Sequence, residues 1–293
     1  MKSIAQHTVP KAYTGVILKK YLSTAFPMLP SSNQGIKKVI AQKRILLDGE
    51  IAQWDTPLQE GQIITLLEDA SATPKVFQLS LEIIYEDEHM AIVYKPAGIP
   101  VSGNQFKTIV NALPYSLTPS KETDALRTFR PVHRLDAPTT GLLMVAKNSR
   151  AMIALGQQLE EKKIQKIYQA VVIGTPPAEG ELHTPMEEKN AHSRFETLRT
   201  VPSIRNGSLS LVKLWPYTGR THQLRIHMAS IGHPIVGDKQ YGASPNMLTH
   251  KGLFLSAVAL ELPHPITGEL MNISVEAPAK FNSLLEREQR RIL

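Results

Sequence analysis

The sequence predicts an α+β fold, in which a mixed, mainly antiparallel central sheet is flanked by helices and preceded by a small N-terminal α/β module. Many short apolar runs are bounded by turn residues, as in a strand-rich protein. The few helical patterns lack the regular strand–helix alternation of a parallel sheet. A small, polar stretch that contains proline separates two parts of the chain. We therefore expect a module at residues 1–70, a linker at 71–78 and a larger domain at 79–293.

The N-terminal module combines two short helices with small strands. Apolar residues recur at helical spacing at residues 16–22 and 36–40. The apolar run at 45–47 leads into Asp48-Gly49, a dipeptide typical of hairpin turns. Alternating apolar residues at 58–66 predict the last strand. A module of roughly 55 residues is just large enough to fold alone.

Strands dominate the larger domain, and three helices interrupt them. Apolar runs predict strands at 83–85, 90–94, 142–146, 167–173, 195–200, 209–214, 254–262 and 271–275. Helical spacing predicts helices at 150–162, 222–231 and 279–291. Many strands with a few helices packed on them make up the α+β arrangement.

The composition limits the possible functions. The chain has 293 residues, of which 33 are Lys or Arg and 26 are Asp or Glu, so its net charge is +7. This excess favours a polyanion as the partner. Cysteine is absent, which excludes disulfides, thiolate metal sites and a cysteine nucleophile. Because neither a signal peptide nor an apolar stretch of roughly 20 residues is apparent, we expect a soluble, cytoplasmic protein with no membrane segment.

One short segment places a carboxylate among cations and hydroxyls. Asp136 is preceded by His133 and Arg134 and followed by Thr139 and Thr140. Nearby cations favour the ionised carboxylate, which suits a nucleophile or a base. A salt-bridged turn between two strands explains the same residues equally well, because structural ion pairs have the same composition.

A second polar segment surrounds the start of the helix predicted at 222–231. Arg220 lies at the positively polarised end of that helix, where anions bind readily. His222 and Arg225 lie on one side of the helix. His222, His227 and His233 lack the spacing of a known metal-binding motif, so we predict no metal site.

Two further groups of polar residues are candidates for binding. Lys166 and Tyr168 share one face of a predicted strand, where the tyrosine could stack on a base. Taken alone, Tyr168 is more simply explained as a hydrogen-bonded core residue. Four basic residues lie close together without an acid between them, and they form either a solvated helix face or a phosphate-binding surface. They are Lys37, Lys38, Lys43 and Arg44.

Four motifs in this order resemble those of the RluA-type RNA pseudouridine synthases, which isomerise uridine in structured RNA. They are KPAGIPV at 95–101, HRLDAPTTG at 133–141, KIYQAVVIG at 166–174 and TGRTHQLRIHMASIGHPIVGDKQYG at 218–242. The N-terminal module is similar to the small α-L RNA-binding module of a ribosomal protein, most clearly in LLDGEIA at 46–52. Four matches in order are far more specific than any single motif.

The resemblance implies a role for each matched residue. Asp136 would be the catalytic aspartate, Tyr168 the active-site tyrosine and Arg220 the ion-pair partner of the aspartate. Arg134 would enter the RNA stack when the target base leaves it. The other polar residues would bind the substrate or RNA: His133, Thr139, Thr140, Lys166, His222, Arg225, Lys37, Lys38, Lys43 and Arg44.

The implied reaction moves the ribose bond from N1 to C5 of uracil. It involves neither redox change nor hydrolysis, so we expect no cofactor. The expected partner is ribosomal or transfer RNA, bound by a monomer. Two alternatives remain: a non-catalytic RNA-binding or ribosome-assembly protein on the same scaffold, and a hydrolase in which an aspartate activates water to release the base. Absence of isomerisation would indicate the first alternative, and free uracil as a product the second.

Overall fold

The chain folds into two sheets, a small one near the N terminus and a large one that contains most of the remaining strands. The structure is a computed structural model that describes residues 2–26, 29, 32–69, 76–186, 190–242 and 251–292. Most of the linker predicted at 71–78 lies outside the described residues.

The N-terminal part is a four-stranded antiparallel sheet with two helices. Its strands are β1 (Ser3–Thr8), β2 (Ile45–Leu47), β3 (Glu50–Ile51) and β4 (Ile63–Leu67), in the order β1-β4-β2-β3. Its helices are α1 (Leu18–Ala25) and α2 (Asn33–Ala41), preceded by a 3-10 turn at Lys11–Tyr13. Asp48 and Gly49 both have positive φ, 51° and 88°, and form the predicted hairpin turn between β2 and β3. The Ser32 hydroxyl accepts a hydrogen bond from the Gly35 N–H at 3.1 Å, which explains why α2 begins here.

The large sheet has ten strands and four associated helices. The strands are β5 (Glu82–Glu86), β6 (Met90–Lys95), β7 (Ala125–Pro131), β8 (Thr140–Asn148), β9 (Gln165–Ile173), β10 (Glu179–Leu182), β11 (Ser193–Ser203), β12 (Gly207–Pro216), β13 (Leu255–Pro263) and β14 (Leu270–Ser274). The helices are α3 (Ile109–Ser116), α4 (Ser149–Glu160), α5 (Gln223–Ser230) and α6 (Lys280–Arg290). None of the helices in the described ranges is long and apolar enough to cross a bilayer.

The large sheet is mixed but mainly antiparallel. Its main order is β10-β11-β12-β9-β13-β8-β6-β5, with β14 beside β13 and β7 beside β8. Neighbouring strands are antiparallel except for β8 and β13, which run parallel where Thr140 and Gly141 face Ser256 and Ala257. The predicted α+β fold with a mixed central sheet is thus confirmed.

The core lies on both faces of the large sheet. All nine residues of β8 are buried, which explains its continuous apolar run. Leu143 and Val145 belong to a cluster that includes residues of α3, α5 and α6. Leu142 and Met144 belong to a second cluster, which includes residues of α4 and of the N-terminal sheet. Successive residues of β8 therefore join different cores, as the two-residue period of a strand requires.

The N-terminal sheet packs against β7 and α4. The Lys2 ammonium donates to the carbonyls of Thr123 and Ala125, at 2.9 and 2.8 Å. The buried Glu68 carboxylate accepts a hydrogen bond from the N–H of Arg127 at 2.8 Å. Strand β7, which leads into the Asp136 segment, is therefore in direct contact with the N-terminal part.

Four elements were not predicted from the sequence: β1, β7, β10 and α3. Strands β1 (SIAQHT) and β7 (ALRTFRP) contain too few apolar residues to show a clear alternation. Helix α3 contains Pro114, which lacks a backbone donor and normally marks the end of a helix. Strand β1 pairs with β4, more than 50 positions further along the chain, and local pattern does not record such a contact.

Candidate active site

Asp136 lies on the loop that connects β7 to β8. The N–H of Thr139 donates to the Asp136 carbonyl at 3.0 Å and closes a tight turn. At Gly141, φ is 112°, and a Cβ atom there would lie 2.1 Å from the carbonyl oxygen of Ala257. Only glycine allows β8 to approach β13 this closely. The loop is therefore fixed at the point where the two parallel strands meet.

A buried lysine fixes this loop through hydrogen bonds to its backbone carbonyls. Lys95, at the end of β6, is fully buried, and its ammonium donates to the carbonyls of Pro96, Ala137 and Thr139 at 2.8, 3.0 and 2.8 Å. Burial lowers the pKa of Lys95 to about 8, while the charge of Asp136 acts in the opposite direction. Two of these acceptors, the carbonyls of Ala137 and Thr139, lie within three residues of Asp136. The ammonium therefore positions the loop that carries the carboxylate.

The carboxylate of Asp136 is paired with Arg225, which lies in the first turn of α5. Nη1 of Arg225 donates to Oδ2 of Asp136 at 3.2 Å, while Nε and Nη2 bind both oxygens of Asp238 at 2.7 and 2.8 Å. Burial opposes the ionisation of Asp238, but the hydrogen bonds from Arg225 and from the Gln240 N–H hold its pKa below the usual range. Nε2 of His222 lies 3.8 Å from Oδ1 of Asp136. One guanidinium thus links two aspartates.

The ion pair expected between Asp136 and Arg220 is not formed. Arg220 is exposed, its Nε donates to the Asn190 carbonyl at 3.1 Å, and its N–H donates to the side-chain oxygen of Gln223 at 3.0 Å. Arg220 precedes α5 and turns outward, whereas Arg225 lies inside the helix on the side that faces Asp136. The expected pairing is therefore corrected to Arg225, which was predicted only to bind the substrate or RNA.

Asp136 and Arg134 border two neighbouring cavities. The smaller, of about 330 Å³, is lined by Tyr168 and Leu224 among others. The larger, of about 720 Å³, extends toward Lys239. Both volumes are in the range of small-molecule sites. A nucleoside placed in the smaller cavity would lie between the carboxylate and the tyrosine.

Two residues of β9 form one wall of the smaller cavity. Tyr168 is buried, and burial together with the charge of Asp136 raises its pKa well above the usual range, so the phenol stays protonated. Burial lowers the pKa of Lys166. This wall therefore offers a neutral aromatic ring beside a desolvated amine.

Three residues predicted to bind the substrate or RNA are instead largely enclosed by the protein: His133, Thr139 and Thr140. Nε2 of His133 accepts a hydrogen bond from the Met144 N–H at 3.0 Å, and burial lowers its pKa to about 3. A neutral imidazole that is already bonded to β8 cannot act as a cation toward phosphate. Thr139 and Thr140 are buried as well. Of these residues, His133 and Thr139 line the smaller cavity, where only a molecule inside it could reach them.

The smaller cavity brings together most residues predicted for catalysis and substrate binding. They are His133, Arg134, Asp136, Thr139, Lys166, Tyr168, Arg220, His222 and Arg225. The basic run lies elsewhere, on the N-terminal part, and does not form one face. The Lys37 ammonium lies 4.5 Å from the centre of the Trp54 ring and Lys43 is exposed, whereas Lys38 and Arg44 line a cavity beside β7.

Three residues of the site were missed from the sequence: Lys95, Asp238 and Tyr241. Lys95 and Asp238 lie within the matched motifs, but their burial and partners depend on long-range packing. The Tyr241 hydroxyl lies 2.9 Å from Nδ1 of His222, a residue in the left-handed region with φ 55°. A charged residue in an otherwise apolar or glycine-rich motif is the signal that could have identified the first two.

The chain is similar to several known proteins. A sequence model described as RNA pseudouridylate synthase matches residues 89–230. The chain is 32% identical to an uncharacterised RNA pseudouridine synthase of Aquifex aeolicus (strain VF5), over 91% of this chain and 92% of that protein. It is also 32% identical to the ribosomal large subunit pseudouridine synthase D of Pseudomonas aeruginosa, over 94% and 93% of the two chains. The solved structure of human RNA pseudouridylate synthase domain containing 4 has a similar fold, with a TM-score of 0.56 and 23% identity over 70% of this chain and 92% of that one.

Proposed function

The chain belongs to the RNA pseudouridylate synthase family, which makes it an RNA-modifying isomerase, and from this premise we propose that it converts uridine to pseudouridine in the RNA of the large ribosomal subunit, with Asp136 as the reacting carboxylate. The observation that carries the residue assignment is the position of Asp136. Its carboxylate borders a cavity of about 330 Å³, is bonded to the guanidinium of Arg225 and faces a wall that contains Tyr168.

The reaction breaks the bond from ribose C1′ to uracil N1 and forms a bond from C1′ to C5. The proton on C5 leaves and N1 gains one, so the product is an isomer of the substrate. A base inside a helix cannot reach Asp136, and the nucleotide must therefore be extruded, at a cost of a few kcal/mol. The cavity between Asp136 and Tyr168 then receives the extruded uridine.

The surrounding residues divide the work of binding and orientation. Arg225 orients Asp136 through Oδ2, and Lys95 fixes the loop that carries it. Tyr168 stacks on the uracil as a neutral ring, because its raised pKa makes it a poor base. Arg134 is exposed at the entrance of the cavity, where its planar guanidinium can take the place of the departed base in the stack.

Relatives support ribosomal RNA as the substrate. Proteins similar to this chain along most of its length are named ribosomal large subunit pseudouridine synthases D and C. An enzyme with this substrate would work in the cytoplasm, where ribosomes are found, and we expect it to act as a monomer.

The test is tritium release from RNA that carries 5-tritiated uridine. We expect release with the wild-type protein, and complete loss with Asp136→Asn, which keeps the size of the side chain but cannot react as a carboxylate. Asp55→Asn, at an exposed aspartate of the N-terminal part, is the matched control and should retain full activity. Full activity of Asp136→Asn would contradict the assignment of Asp136.

The substrate is tested separately with large-subunit ribosomal RNA and transfer RNA, followed by base-resolution mapping of pseudouridine. Modification of the ribosomal RNA is the expected result. Modification of transfer RNA alone would show that the substrate proposal is wrong while leaving the isomerase intact.

A further inference from the structure

A second basic cavity is separate from the candidate active site but is lined by a residue close to Asp136 along the chain. Its volume is about 670 Å³, and it lies between the N-terminal sheet and β7. Three cationic side chains line it: Lys38 from α2, Arg44 immediately before β2 and Arg130 from β7. Both structural units of the protein therefore contribute positive charge to one space.

Arg130 is an arginine without an acceptor. Its Nε is buried and has no hydrogen-bond partner, although the residue as a whole is only half-buried, and none of the ion pairs within the described ranges includes its guanidinium. Burial lowers the pKa of Arg130, and the like charge of Arg44 acts in the same direction. A buried polar atom in a native protein normally has a partner, so the unpaired Nε, in a cavity lined by two further cations, favours an anionic ligand.

The nearby carboxylates are engaged by other groups. Asp69 lies 3.7 Å from Nη1 of Arg44, and Glu68 accepts the N–H of Arg127 at 2.8 Å. The charges of Glu68 and Asp69 partly offset the effects of burial on Arg130 but do not bond to it. Asp69 also lines the cavity, and Nε of Arg44 donates to the Leu67 carbonyl at 3.1 Å, so Arg44 is partly engaged. Three cations against one carboxylate still leave the cavity positive. The planar fork of Arg130 matches the oxygens of a phosphate group, and Arg44 and Lys38 add positive charge beside it.

The position along the chain connects this cavity with catalysis. Arg130 precedes Arg134 by four residues and Asp136 by six, on one continuous segment. Six extended residues span at most roughly 20 Å, so a group bound at Arg130 lies within a few nucleotides of the active site. We propose that Arg130, Arg44 and Lys38 bind one backbone phosphate of the substrate RNA and so set its register relative to Asp136. This inference rests on the proposed function, because it requires RNA as the substrate.

The first test uses Arg130→Gln, with Arg290→Gln as the control for loss of one positive charge on the exposed side of α6. In Arg130→Gln, we expect the affinity for substrate RNA to fall roughly 10-fold or more, as for the loss of one charge-assisted contact. The slope of log K against log salt should become shallower by roughly 0.7–0.9, the value for one phosphate. The loss of activity should appear mainly in KM. Arg290→Gln should match the wild type.

The second test uses inorganic phosphate and does not depend on catalysis. Phosphate should raise the unfolding temperature of the wild type but not that of Arg130→Gln. Without phosphate, Arg130→Gln should unfold at the same temperature as the wild type or higher, because the substitution removes a buried charge that has no partner. A purely structural arginine would instead make the variant less stable.

The outcomes separate this inference from the proposed function. If Arg130→Gln binds RNA with unchanged affinity and salt slope while the wild type makes pseudouridine, the inference is overturned and the isomerase stands. If phosphate stabilisation depends on Arg130 but RNA affinity does not, the ligand is a free phosphate and the RNA assignment is overturned. If the wild type makes no pseudouridine in any RNA, the proposed function fails, and the RNA-affinity measurement still decides whether Arg130 contacts RNA.

Discussion

Asp238 is buried beneath the active site, and both of its carboxylate oxygens accept hydrogen bonds from Arg225. Removal of one member of a buried ion pair typically costs about 3–5 kcal/mol, because the other charge is left without a partner. Arg225→Gln should therefore lower the free energy of unfolding by about this amount, in addition to reducing activity. Urea unfolding at pH 7 is the measurement.

The control for this prediction is Arg220→Gln, at an exposed arginine whose Nε binds only a backbone carbonyl. We expect it to change stability by less than about 0.5 kcal/mol. The pKa of Asp238 is held below its unfolded value of 3.8, so its stabilising contribution is present above about pH 4 and is lost as pH falls through the folded pKa. The deficit of Arg225→Gln should accordingly shrink below pH 4. Equal losses from both substitutions would contradict the pairing described above.

We expect Lys95 to make activity sensitive to alkaline pH. Burial lowers its pKa to about 8, and the three carbonyls that it binds require all three protons of an ammonium. Deprotonation leaves a donor for only two of them, so we expect the rate of the Asp136-dependent reaction to fall as pH rises through about 8. The pH profile of kcat measures this, and Lys95→Met should be slow throughout and lack the decrease near pH 8.

The stability effect of Lys95 has the opposite sign to its effect on the rate. Because the folded pKa is below the unfolded value of 10.5, the folded state binds fewer protons between pH 8 and 10.5. The cost of burying the charge is therefore relieved as pH rises through this window. The loss of rate should thus occur without unfolding caused by Lys95. A flat kcat profile up to pH 9.5 would contradict the positioning role.

The resemblance of four ordered motifs to a known family, and not residue types alone, predicted which polar side chains meet at one cavity. Asp136, Tyr168 and His222 all line it, although they are far apart in the chain. The partner of Asp136 was not predictable, because it depends on where α5 begins. His222 has a left-handed conformation and the helix starts at Gln223, which turns Arg225 inward and leaves Arg220 outside.

At the scale of elements, Gly141 controls the parallel contact between β8 and β13. A Cβ at this position would lie 2.1 Å from the Ala257 carbonyl oxygen, and φ of 112° is unfavourable for other residues. Gly141→Ala should lower the free energy of unfolding by more than about 3 kcal/mol, because backbone on both sides must shift. Since this contact anchors the Asp136 loop, activity should fall as well. Chemical denaturation and the tritium assay measure the two effects.

Gly156, in α4, is the matched control for that substitution. Nothing lies within 4 Å of a Cβ built on it, and the residue is inside a regular helix. Gly156→Ala should stabilise the protein by roughly 0.5–1 kcal/mol, because alanine loses less backbone entropy in a helix. Destabilisation by both substitutions to the same extent would show that β8 and β13 are not in such close contact.

The apolar central strands were predictable because they are buried on both faces. Residues 90–94, 142–146 and 167–173 each lie within an observed strand. Strand β7 was missed because its buried residues, Leu126 and Phe129, are separated by polar ones and show no alternation. The parallel pair of β8 and β13 joins Thr140 to Ser256, more than 100 positions apart, and such a contact leaves no local pattern.

At the scale of the whole molecule, the two sheets share one hydrophobic cluster. It includes Ile4 and Leu22 of the N-terminal part together with Ile92 and Leu155 of the larger part. Because neither part can unfold without exposing this shared surface, we expect one cooperative transition.

The two tryptophans of the chain make this testable. Trp54 lies in the N-terminal part and Trp215 on β12 of the large sheet. Fluorescence of Trp54→Phe reports on the large sheet, and fluorescence of Trp215→Phe reports on the N-terminal part. Calorimetry of each variant gives the change in stability caused by its substitution. After correction for this change, the two unfolding midpoints should coincide. Midpoints that remain apart would show that the shared cluster does not couple the two parts.

The two carboxylate oxygens of Asp136 differ in their hydrogen bonding, and this difference has a chemical consequence. Oδ2 accepts a hydrogen bond from Arg225, but Nε2 of His222 lies 3.8 Å from Oδ1, beyond hydrogen-bond distance. A carboxylate bonded firmly at both oxygens has its lone pairs committed to protons. This one is tethered on one side and keeps electron density on the other, available for an electron-poor carbon. Tighter anchoring of the same aspartate would therefore make it a weaker reagent.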